Sequence, residues 1–451
     1  MTTHWTRRRF LKTLTAGTVL AATARRAGTA DTHPPNVVLI LTDDQGAVDA
    51  GCYGATDLHT PNLDALAARG VRFTQFYVAA PVCSPSRAAL LTGRYPQRAG
   101  LDTNAGGKRG LPPEQTTIAE AFKTAGYRTG VFGKWHLGML PEMNPLAQGF
   151  DEFFGHKEGC IDNYSHFFYW SGPNRHDLWR DDAQVHEDGA FFPDLVVREA
   201  CRFLEENRGN PFFLYLPFNM PHYPLQGEER FSAAQPDPAT PRGMYGAFVR
   251  SLDDKIGQVL AKLDALGLRE NTIVVFLSDN GHSVEERSFF GGGSAGIYRG
   301  HKFTLWEGGI RLPCIVSWPG RIPEGQVREQ VACSIDWLPT LAQYCGVKIP
   351  PETVDGADIG PVIASQDAPS PHSVLHWMLG DQWAVREGEW KLVVNGAESV
   401  IDGHTLPMEP FFLGNLSQDA SETVNLALTH PEIVERLSQL HERWLDDLKQ
   451  P

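Results

Sequence analysis

Short apolar runs recur along the chain, and each is followed by polar or charged residues. Five of these runs have the length and continuous hydrophobicity of buried strands. In chain order they are NVVLILTDDQG (36–46), YRTGVFGKWHLG (127–138), PFFLYLPFNMPHYP (211–224), NTIVVFLSDNGH (271–282) and RLPCIVSWPG (311–320). Segments with helical periodicity separate them, for example TPNLDALAARG (60–70) and AFVRSLDDKIGQVLAKLDALG (247–267). The alternation predicts an α/β fold, with helices on both faces of a mostly parallel sheet.

The pattern changes after about residue 365. QDAPSPH (366–372) has the composition of a linker, and LHWMLGDQWAVREGEWKLVVN (375–395) alternates like antiparallel strands, with a turn at Glu387 and Gly388. HPEIVERLSQLHERWLDDLKQ (430–450) has the periodicity of an amphipathic helix. We therefore predict a main domain over residues 31–365 and a small C-terminal α+β subdomain, an antiparallel sheet plus a helix, over residues 366–451.

The first thirty residues have a basic start, TRRRFLK (6–12), and then an apolar run from Leu14 to Ala24. This run is too short to cross a bilayer, so the segment predicts a cleavable signal peptide over residues 1–30. Its basic start resembles the twin-arginine export motif, which makes the export machinery an expected partner. No Cys directly follows the run, which argues against a lipid anchor. We expect an exported protein, periplasmic or secreted, without a stable membrane anchor.

Charge and cysteine content exclude several classes of protein. The chain has 40 basic and 54 acidic side chains, a formal net charge of −14. This surplus of acid argues against nucleic-acid binding and against a membrane-surface protein, since both depend on basic fields. The seven cysteines include no C-x-x-C pair, which argues against a structural zinc site. Export permits disulfides, but their pairing cannot be read from the sequence.

Acidic and amide side chains follow two of the apolar runs. Asp43 and Asp44 end the first run, and Asp279 and Asn280 end the fourth. In an open α/β sheet the ligand crevice lies beyond the carboxyl ends of the strands, so these residues are expected to converge. Three carboxylates and one amide carbonyl make an all-oxygen ligand set, which suits Ca²⁺ or Mg²⁺. We therefore predict a metal site here in preference to two unrelated helix caps.

The segment VCSPSRAALLTGR (82–94) places a Cys at the start of a predicted helix. Pro85 suits the first helical turn, where its missing N–H has no partner to lose. The free N–H groups and the macrodipole at such a position favour negative charge on Cys83, and Arg87 adds a positive fork one turn later. Thiolate phosphatases separate their Cys and Arg by five residues, and here only three intervene.

These residues carry a resemblance to a known family. Residues 83–87 and 92–94 resemble the C-x-P-S-R…T-G-R signature of the type I sulfatases. GKWHLG (133–138) resembles the second signature of that family. The further motifs recur in the order that the family has: LTDDQG (41–46), MPHYP (220–224), SDNG (278–281) and GHKFTLWEGGIRLP (300–313). The resemblance is strongest to arylsulfatases and N-acetylgalactosamine-6-sulfatase-like members. It implies a large mixed sheet of the alkaline phosphatase type and the hydrolysis of sulfate esters, from a sulfated sugar or an aryl sulfate.

The same resemblance implies a role for each site residue. A formylglycine-generating enzyme would oxidise Cys83 to Cα-formylglycine, whose hydrate, a gem-diol, would be the nucleophile. The ligands of Ca²⁺, or of Mg²⁺, would be Asp43, Asp44, Asp279, Asn280 and the modified Cys83. Arg87 would anchor the gem-diol, and Lys134 would bridge it and the sulfate. Lys302 and His222 would bind sulfate oxygens, one of them protonating the leaving alcohol. His136 would take the proton whose removal lets sulfate leave.

Two alternatives to a sulfatase stay open on the sequence alone. One is a phosphate ester or phosphonate hydrolase that uses the same site, and the other is an unmodified protein that binds sulfated glycans. The aromatic-rich segment 149–193 is either a sugar-binding wall or an ordinary packed loop, and residues 282–300 lie near Lys302 and could shape the pocket. We treat the ten-residue spacing of four histidines as coincidence, because it matches neither helix nor strand; they are His156, His166, His176 and His186.

Overall fold

A computed structural model of the protein describes residues 34–349, 354–401, 404–406 and 408–449, so the predicted signal peptide over residues 1–30 lies outside it. The strands are β1 (Asn36–Thr42), β2 (Val71–Phe73), β3 (Phe76–Tyr77), β4 (Arg128–Lys134), β5 (Glu152–His156), β6 (Phe167–Phe168), β7 (Arg175–His176), β8 (Trp179–Arg180), β9 (Ala183–Gln184), β10 (Phe212–Pro217), β11 (Thr272–Ser278), β12 (Cys314–Ser317), β13 (Gln326–Arg328), β14 (Ala332–Cys333), β15 (Val374–Leu379), β16 (Gln382–Glu387), β17 (Trp390–Gly396), β18 (Ser399–Ile401), β19 (His404–Leu406) and β20 (Glu409–Asn415). The α-helices are α1 (Pro61–Ala68), α2 (Cys83–Thr92), α3 (Pro96–Ala99), α4 (Ile118–Thr124), α5 (Phe192–Glu206), α6 (Glu229–Ser232), α7 (Pro241–Ala265), α8 (Glu307–Ile310), α9 (Trp337–Cys345), α10 (Gly360–Ala364) and α11 (Pro431–Asp447). Short 3₁₀ helices lie at Gly51–Tyr53, Pro141–Met143, Arg269–Asn271, Glu286–Ser288 and Ser334–Asp336.

The main sheet has the strand order β13-β2-β12-β11-β1-β10-β4-β5-β8-β9. Its central strands β11, β1, β10, β4 and β5 are all parallel to their neighbours within this group. Antiparallel partners flank the group, β12 beside β11 and β8 beside β5. The predicted mixed, mostly parallel sheet is confirmed, and the five apolar runs contain β1, β4, β10, β11 and β12.

Strand β1 shows why helices cover both faces of this sheet. Successive side chains of a strand point to opposite faces, and every residue of β1 is buried. Val37 and Leu39 pack into a core that includes residues of α2, α4 and α9. Val38 and Ile40 pack into a second core with residues of α1, α5 and α7. A strand that is buried on both sides needs apolar residues throughout, which is the pattern that identified it.

The C-terminal residues form an antiparallel sheet in the order β15-β16-β17-β20. Trp377, Val393 and Phe412 share a buried cluster with Trp306 of the main body. Leu437 of α11 joins a different buried cluster, which contains side chains of β16, β17 and β20. The sheet thus lies between the main body and α11. The predicted C-terminal sheet-plus-helix subdomain is confirmed.

Two further observations concern membranes and disulfides. No helix within the described ranges combines the length and the apolar character that crossing a membrane requires. All seven cysteines fall within these ranges, and none of them is bonded to another. Five of the seven are buried, including Cys83 and Cys160.

Candidate active site

The predicted site residues meet at one edge of the main sheet, beyond the carboxyl ends of the central parallel strands. The strand ends contribute Asp43 and Asp44 after β1, Asp279 and Asn280 after β11, His222 beyond β10, and Lys134 and His136 at the end of β4. Cys83 and Arg87 come from the start of α2, and Lys302 precedes α8. All ten residues are buried, with at most 6% of any of them exposed.

Arg87 connects two of the carboxylates to strand β4. Its Nε and Nη2 donate to Asp279 Oδ2 at 3.0 and 2.8 Å, and Nη2 lies 3.5 Å from Asp43 Oδ1. Its Nη1 donates to the backbone oxygen of Lys134 at 2.9 Å. The guanidinium therefore fixes α2, β1, β4 and β11 relative to one another.

The two lysines pair with the two aspartates that follow β1. Lys134 Nζ lies 2.6 Å from Asp43 Oδ2, and Lys302 Nζ lies 2.9 Å from Asp44 Oδ2. His222 Nε2 lies 3.7 Å from the same oxygen of Asp44. Although burial disfavours charge on an ammonium group, Asp43 raises the pKa of Lys134 and Asp44 raises the pKa of Lys302. Both lysines are therefore cationic at neutral pH.

Burial and neighbouring charges act differently on the three carboxyl groups. Burial alone would raise the pKa of Asp43, but Lys134 and other cations hold it well below its usual range. Burial raises the pKa of Asp44 to about 7, against the opposing charge of Lys302. Burial, reinforced by Asp43, also raises the pKa of Asp279. Additional positive charge would lower the last two values, which favours a cation at this place.

The oxygen atoms at the strand ends fit the predicted metal ligands. Asp44 N donates to Asp279 Oδ1 at 3.1 Å, and Asn280 Nδ2 donates to Asp44 Oδ1 at 2.6 Å. The other amide atom, Asn280 Oδ1, is buried without a hydrogen-bond partner. Ligand atoms of Asp43, Asp44, Cys83 and His222 also lie within 4.8 Å of one another. A hard cation such as Ca²⁺ would take the carboxylate oxygens and the unpartnered carbonyl.

Helix α2 begins at Cys83, as the sequence predicts, with Val82 as its N-cap. The Sγ atom lies 3.6 Å from Asp43 Oδ1. The expectation that the helix terminus would favour a negative charge on the sulfur is wrong for the unmodified residue. Burial raises the pKa of the Cys83 thiol to about 12, although Lys134 and Lys302 oppose the shift. At neutral pH the side chain is a protonated, poorly nucleophilic thiol.

His136 is held beside the start of α2 by the signature serine. Ser84 Oγ donates to the His136 backbone oxygen at 2.7 Å, and the His136 backbone adopts a positive φ of 53°. Gly159 provides room for the ring, since a Cβ there would lie 2.9 Å from His136 Cε1. Burial, followed by the charges of Lys134 and Arg87, lowers the pKa of His136 well below its usual value. The ring is therefore neutral and carries an unprotonated nitrogen.

A cavity of about 280 Å³ opens above these residues. Cys83, His136, His222 and Lys302 line it, whereas Arg87 and the aspartates lie beneath. The segment 149–193 supplies much of the remaining wall, and sequence reasoning did not single out these residues: Glu158, Gly159, Cys160, Phe168, Trp170, Ser171 and Arg175. Residues 104–107, also missed, line the cavity as well. The aromatic content of the segment was the one signal that pointed to this wall.

The 282–300 loop supports the wall from outside the cavity. Arg287 Cζ lies 4.2 Å from the centre of the Trp170 ring, and Arg287 Nη2 donates to the Trp170 backbone oxygen at 3.0 Å. The Trp170 ring also stacks on Tyr223, with ring centres 5.6 Å apart. Trp170 is thus clamped between two elements, yet 38% of it stays exposed.

Comparisons with known proteins agree with the motifs. The model of the family described as Sulfatase matches residues 35–347, and that described as N-sulphoglucosamine sulphohydrolase, C-terminal, matches residues 296–444. Human arylsulfatase A is 36% identical over 92% of this chain and 89% of its own length. Rat N-acetylgalactosamine-6-sulfatase is 39% identical over 73% of this chain and 66% of its own length. The crystal structure of Ps i-CgsB in complex with k-i-k-neocarrahexaose superposes with a TM-score of 0.82 at 29% identity, covering 93% of this chain and 94% of that one.

Proposed function

Since this chain belongs to the sulfatase family and is a sulfuric ester hydrolase, we propose that it releases inorganic sulfate from a sulfated carbohydrate, using Ca²⁺ and a formylglycine formed from Cys83. The observation that carries the proposal is the convergence of Cys83, three basic side chains and four oxygen ligands beneath a single cavity. Residues 31–365 would form the catalytic domain, and residues 366–451 would form a supporting subdomain.

The charges of the site suit an anionic substrate once a cation is bound. Three carboxylates, Asp43, Asp44 and Asp279, are balanced by Arg87, Lys134 and Lys302, so the protein groups alone are close to neutral. Bound Ca²⁺ would add two positive charges and polarise an oxygen of the sulfate ester. With the carboxylates engaged by the cation, Lys134 and Lys302 become available to bind sulfate oxygens.

The state of Cys83 supports its role as a precursor. Its thiol is buried and protonated, so it is a weak nucleophile as it stands. Oxidation to formylglycine would supply a hydrated aldehyde, whose hydroxyl attacks sulfur where the thiol does not. Ser84 and Arg87 hold the surrounding backbone and carboxylates in place for the modified residue. The formylglycine-generating enzyme is therefore an expected partner, before the chain is exported.

The proton transfers follow from the protonation states of the lining residues. His136 is neutral and lines the cavity, so it accepts the proton whose removal releases sulfate. His222 is also neutral, because burial lowers its pKa, and its Nδ1 is bound to the Tyr223 backbone oxygen at 2.7 Å. Lys302 carries a proton and lines the same cavity, so it is the donor to the departing alkoxide.

A sugar fits the wall of the cavity better than a flat aryl group alone. Part of the Trp170 ring stays exposed beside Tyr223 and Arg287, and Glu158 and Arg175 form an ion pair beside Phe168. An aromatic ring such as that of Trp170 can contact the apolar part of a sugar ring. The charged groups of Glu158 and Arg175 can hydrogen-bond to sugar hydroxyl groups. The pyranose of a sulfated glycan would therefore lie against Trp170, with its sulfate directed at Cys83.

The test combines mass spectrometry with substrate comparison. Protein produced with and without a formylglycine-generating enzyme is digested, the peptide holding Cys83 is weighed, and release of sulfate is measured from a sulfated N-acetylgalactosamine and an aryl sulfate. A matched aryl phosphate serves as the control substrate. We expect the aldehyde mass and preference for sulfate. An intact thiol without turnover would indicate a glycan-binding protein, and a strong preference for phosphate would indicate a phosphate ester or phosphonate hydrolase.

A further inference from the structure

Three of the evenly spaced histidines come together outside the active site. The short strands β6 and β7 pair with Phe167 opposite His176, which brings the ring of His176 to 6.1 Å from that of His166. The ring of His186 lies 4.2 Å from that of His176. Side-chain ligand atoms of His166, His176 and Asp188 all lie within 4.8 Å of one another. The spacing that sequence analysis treats as coincidence thus produces a cluster, which excludes only His156.

His166 has the environment of a metal-binding imidazole. It is fully buried, and its backbone adopts a positive φ of 59°. Its Nε2 donates to the Ala190 backbone oxygen at 3.0 Å, which leaves Nδ1 unprotonated. That Nδ1 is buried and has no hydrogen-bond partner. Histidines that bind a metal usually donate the N–H of one ring nitrogen to a backbone carbonyl or a carboxylate. The other ring nitrogen then has a free lone pair for the metal.

His176 supplies the cluster with a second ring nitrogen that has no hydrogen bond. Its Nε2 is buried without a hydrogen bond and lies 3.4 Å from Asp188 Oδ1. Its Nδ1 lies 3.5 Å from the side-chain nitrogen of Gln184, too far for a strong hydrogen bond to decide which ring nitrogen is protonated. Burial lowers the pKa of both His166 and His176, so the rings are neutral, as ligation requires.

We propose that His166 Nδ1, His176 Nε2 and the Asp188 carboxylate bind a Zn²⁺ ion, with His186 or water as the fourth ligand. Imidazole nitrogens with one carboxylate form a donor set that Zn²⁺ prefers, in contrast to the oxygen donors at the strand ends. The absence of C-x-x-C pairs argued against a structural zinc site, but that argument concerns cysteine ligands and not histidine ligands.

The position of the cluster gives the ion a structural role. Phe168 and Arg175 line the active-site cavity, and each is the other's partner in the β6–β7 pair. His166 and His176 flank this pair, and Asp188 belongs to the segment that leads to α5. A bound ion would tie the cavity wall to that segment. The site would therefore support the rim that we assign to the sugar, without contacting the reacting atoms.

Cobalt spectroscopy tests the site without any measurement of sulfate release. Full-length protein is stripped with a chelator, saturated with Ca²⁺ to fill the hard site, and titrated with Co²⁺. We expect visible absorption bands of four-coordinate Co²⁺ that saturate at one equivalent and disappear on addition of Zn²⁺. His176→Asn and Asp188→Asn should lower the Co²⁺ affinity by about tenfold or more. His59→Asn, which changes an exposed histidine elsewhere, is the matched control and should bind like the wild type.

Two results would overturn the proposal: no band in the Ca²⁺-saturated wild type, or the same band with unchanged affinity in Asp188→Asn. Asp188 is exposed, so this variant should fold even if His176→Asn does not, and circular dichroism verifies it. Because the readout needs neither formylglycine nor turnover, its failure would leave the proposed sulfatase chemistry unaffected.

Discussion

The active site and the interface with the C-terminal sheet each contain a cluster of fully buried charges. The interface cluster is closed, in the sense that its carboxylates are paired within the protein, whereas the active-site cluster adjoins a cavity. At the interface, Lys391 Nζ lies 2.8 Å from Glu307 Oε1 and 2.9 Å from Glu422 Oε1. Tyr77 donates to the second oxygen of Glu307 at 2.6 Å, and the Glu307 backbone nitrogen donates to the second oxygen of Glu422 at 2.6 Å. Each carboxylate oxygen of this cluster therefore has a donor or a cation beside it, although Glu422 Oε1 has only the charge of Lys391 and no hydrogen bond.

The active-site cluster has the same kinds of residue but leaves atoms without partners. Asn280 Oδ1 and His136 Nδ1 are buried and unpartnered, and the cluster adjoins a cavity. A buried polar group without a partner costs stability, so such atoms persist where a ligand or a reaction uses them. The comparison shows that burial of charge alone does not mark a functional site. Unpartnered atoms that adjoin an open cavity do.

The largest effect that this comparison predicts is on activity. Cys83→Ala should reduce sulfate release by about 10⁴-fold or more, because it removes the residue from which the nucleophile forms. Cys160→Ala is the matched control, since Cys160 lines the same cavity and is also buried. We expect it to keep most of the activity. The measurement is the turnover of a sulfated sugar by both variants. Equal losses of activity in the two variants would contradict the assignment of Cys83 as the precursor of the nucleophile.

A substitution in the closed cluster should lower the stability of the protein and not its activity. Lys391→Met leaves Glu307 and Glu422 buried without their shared cation, and the free energy of unfolding should fall by about 3–5 kcal/mol. Urea denaturation measures this loss, and added Ca²⁺ should not restore it. Lys134→Met is the counterpart in the active site. In saturating Ca²⁺ it should lose less stability than Lys391→Met and far more activity, and the reverse ranking would invalidate the comparison.

An intermediate effect concerns the unpartnered carbonyl. Chelation should abolish activity, and Ca²⁺ should restore it and raise the Tm. Asn280→Ala removes the carbonyl that we assign to the ion, so its Ca²⁺ affinity should fall by about 10- to 100-fold. Asn219→Ala is the control, because Asn219 is also buried and also has an unpartnered side-chain oxygen, but its amide donates to Asn163 at 2.8 Å and not to a site carboxylate. Calorimetric titration measures both affinities, and equal values would refute the assignment.

The two clusters also differ in how far sequence could predict them. Asp43, Asp44, Asp279 and Asn280 directly follow apolar runs, so a local pattern and one rule about sheet edges place them together. Lys302 follows no strand and was assigned through the resemblance alone. The interface cluster joins Glu307, Lys391 and Glu422 from three distant segments. No local pattern predicts that contact, because it depends on how the C-terminal sheet packs on the main body.

The cavity wall of the active site was also hard to predict, because it too depends on contacts between distant segments. The fold could be predicted because buried strands and amphipathic helices have periodic signatures. The segment 149–193 has short strands and long irregular stretches, so its aromatic residues indicated a wall without indicating which of them face the substrate. Trp170 faces the cavity because it is clamped by Tyr223 and Arg287, which lie 53 and 117 residues later in the chain.

The smallest expected effect is a pH dependence beneath the C-terminal helix, where buried polar atoms are again unpartnered but do not line the active-site cavity. Both ring nitrogens of His441 and the Nδ1 of His376 are buried without a hydrogen bond, and His441 stacks on Trp383. Burial lowers the pKa of His376 to about 3 and that of His441 to about 4. Below the unfolded pKa of about 6.5 the unfolded chain therefore binds more protons than the folded chain, and stability falls as the pH falls.

Between pH 6.5 and pH 5 this loss should amount to about 1–2 kcal/mol for each histidine. His441→Phe keeps an aromatic ring on Trp383 and removes one titrating group, so its unfolding free energy should depend less steeply on pH over this range. His430→Phe is the control on the same side of the subdomain, where the histidine contacts Trp390 and Thr429 near the surface. Urea denaturation at several pH values compares the three proteins. If the unfolding free energy of His441→Phe depends on pH as steeply as that of the wild type, these unpartnered nitrogens carry no energetic cost. The distinction between the active-site cluster and the closed cluster would then depend on the cavity alone.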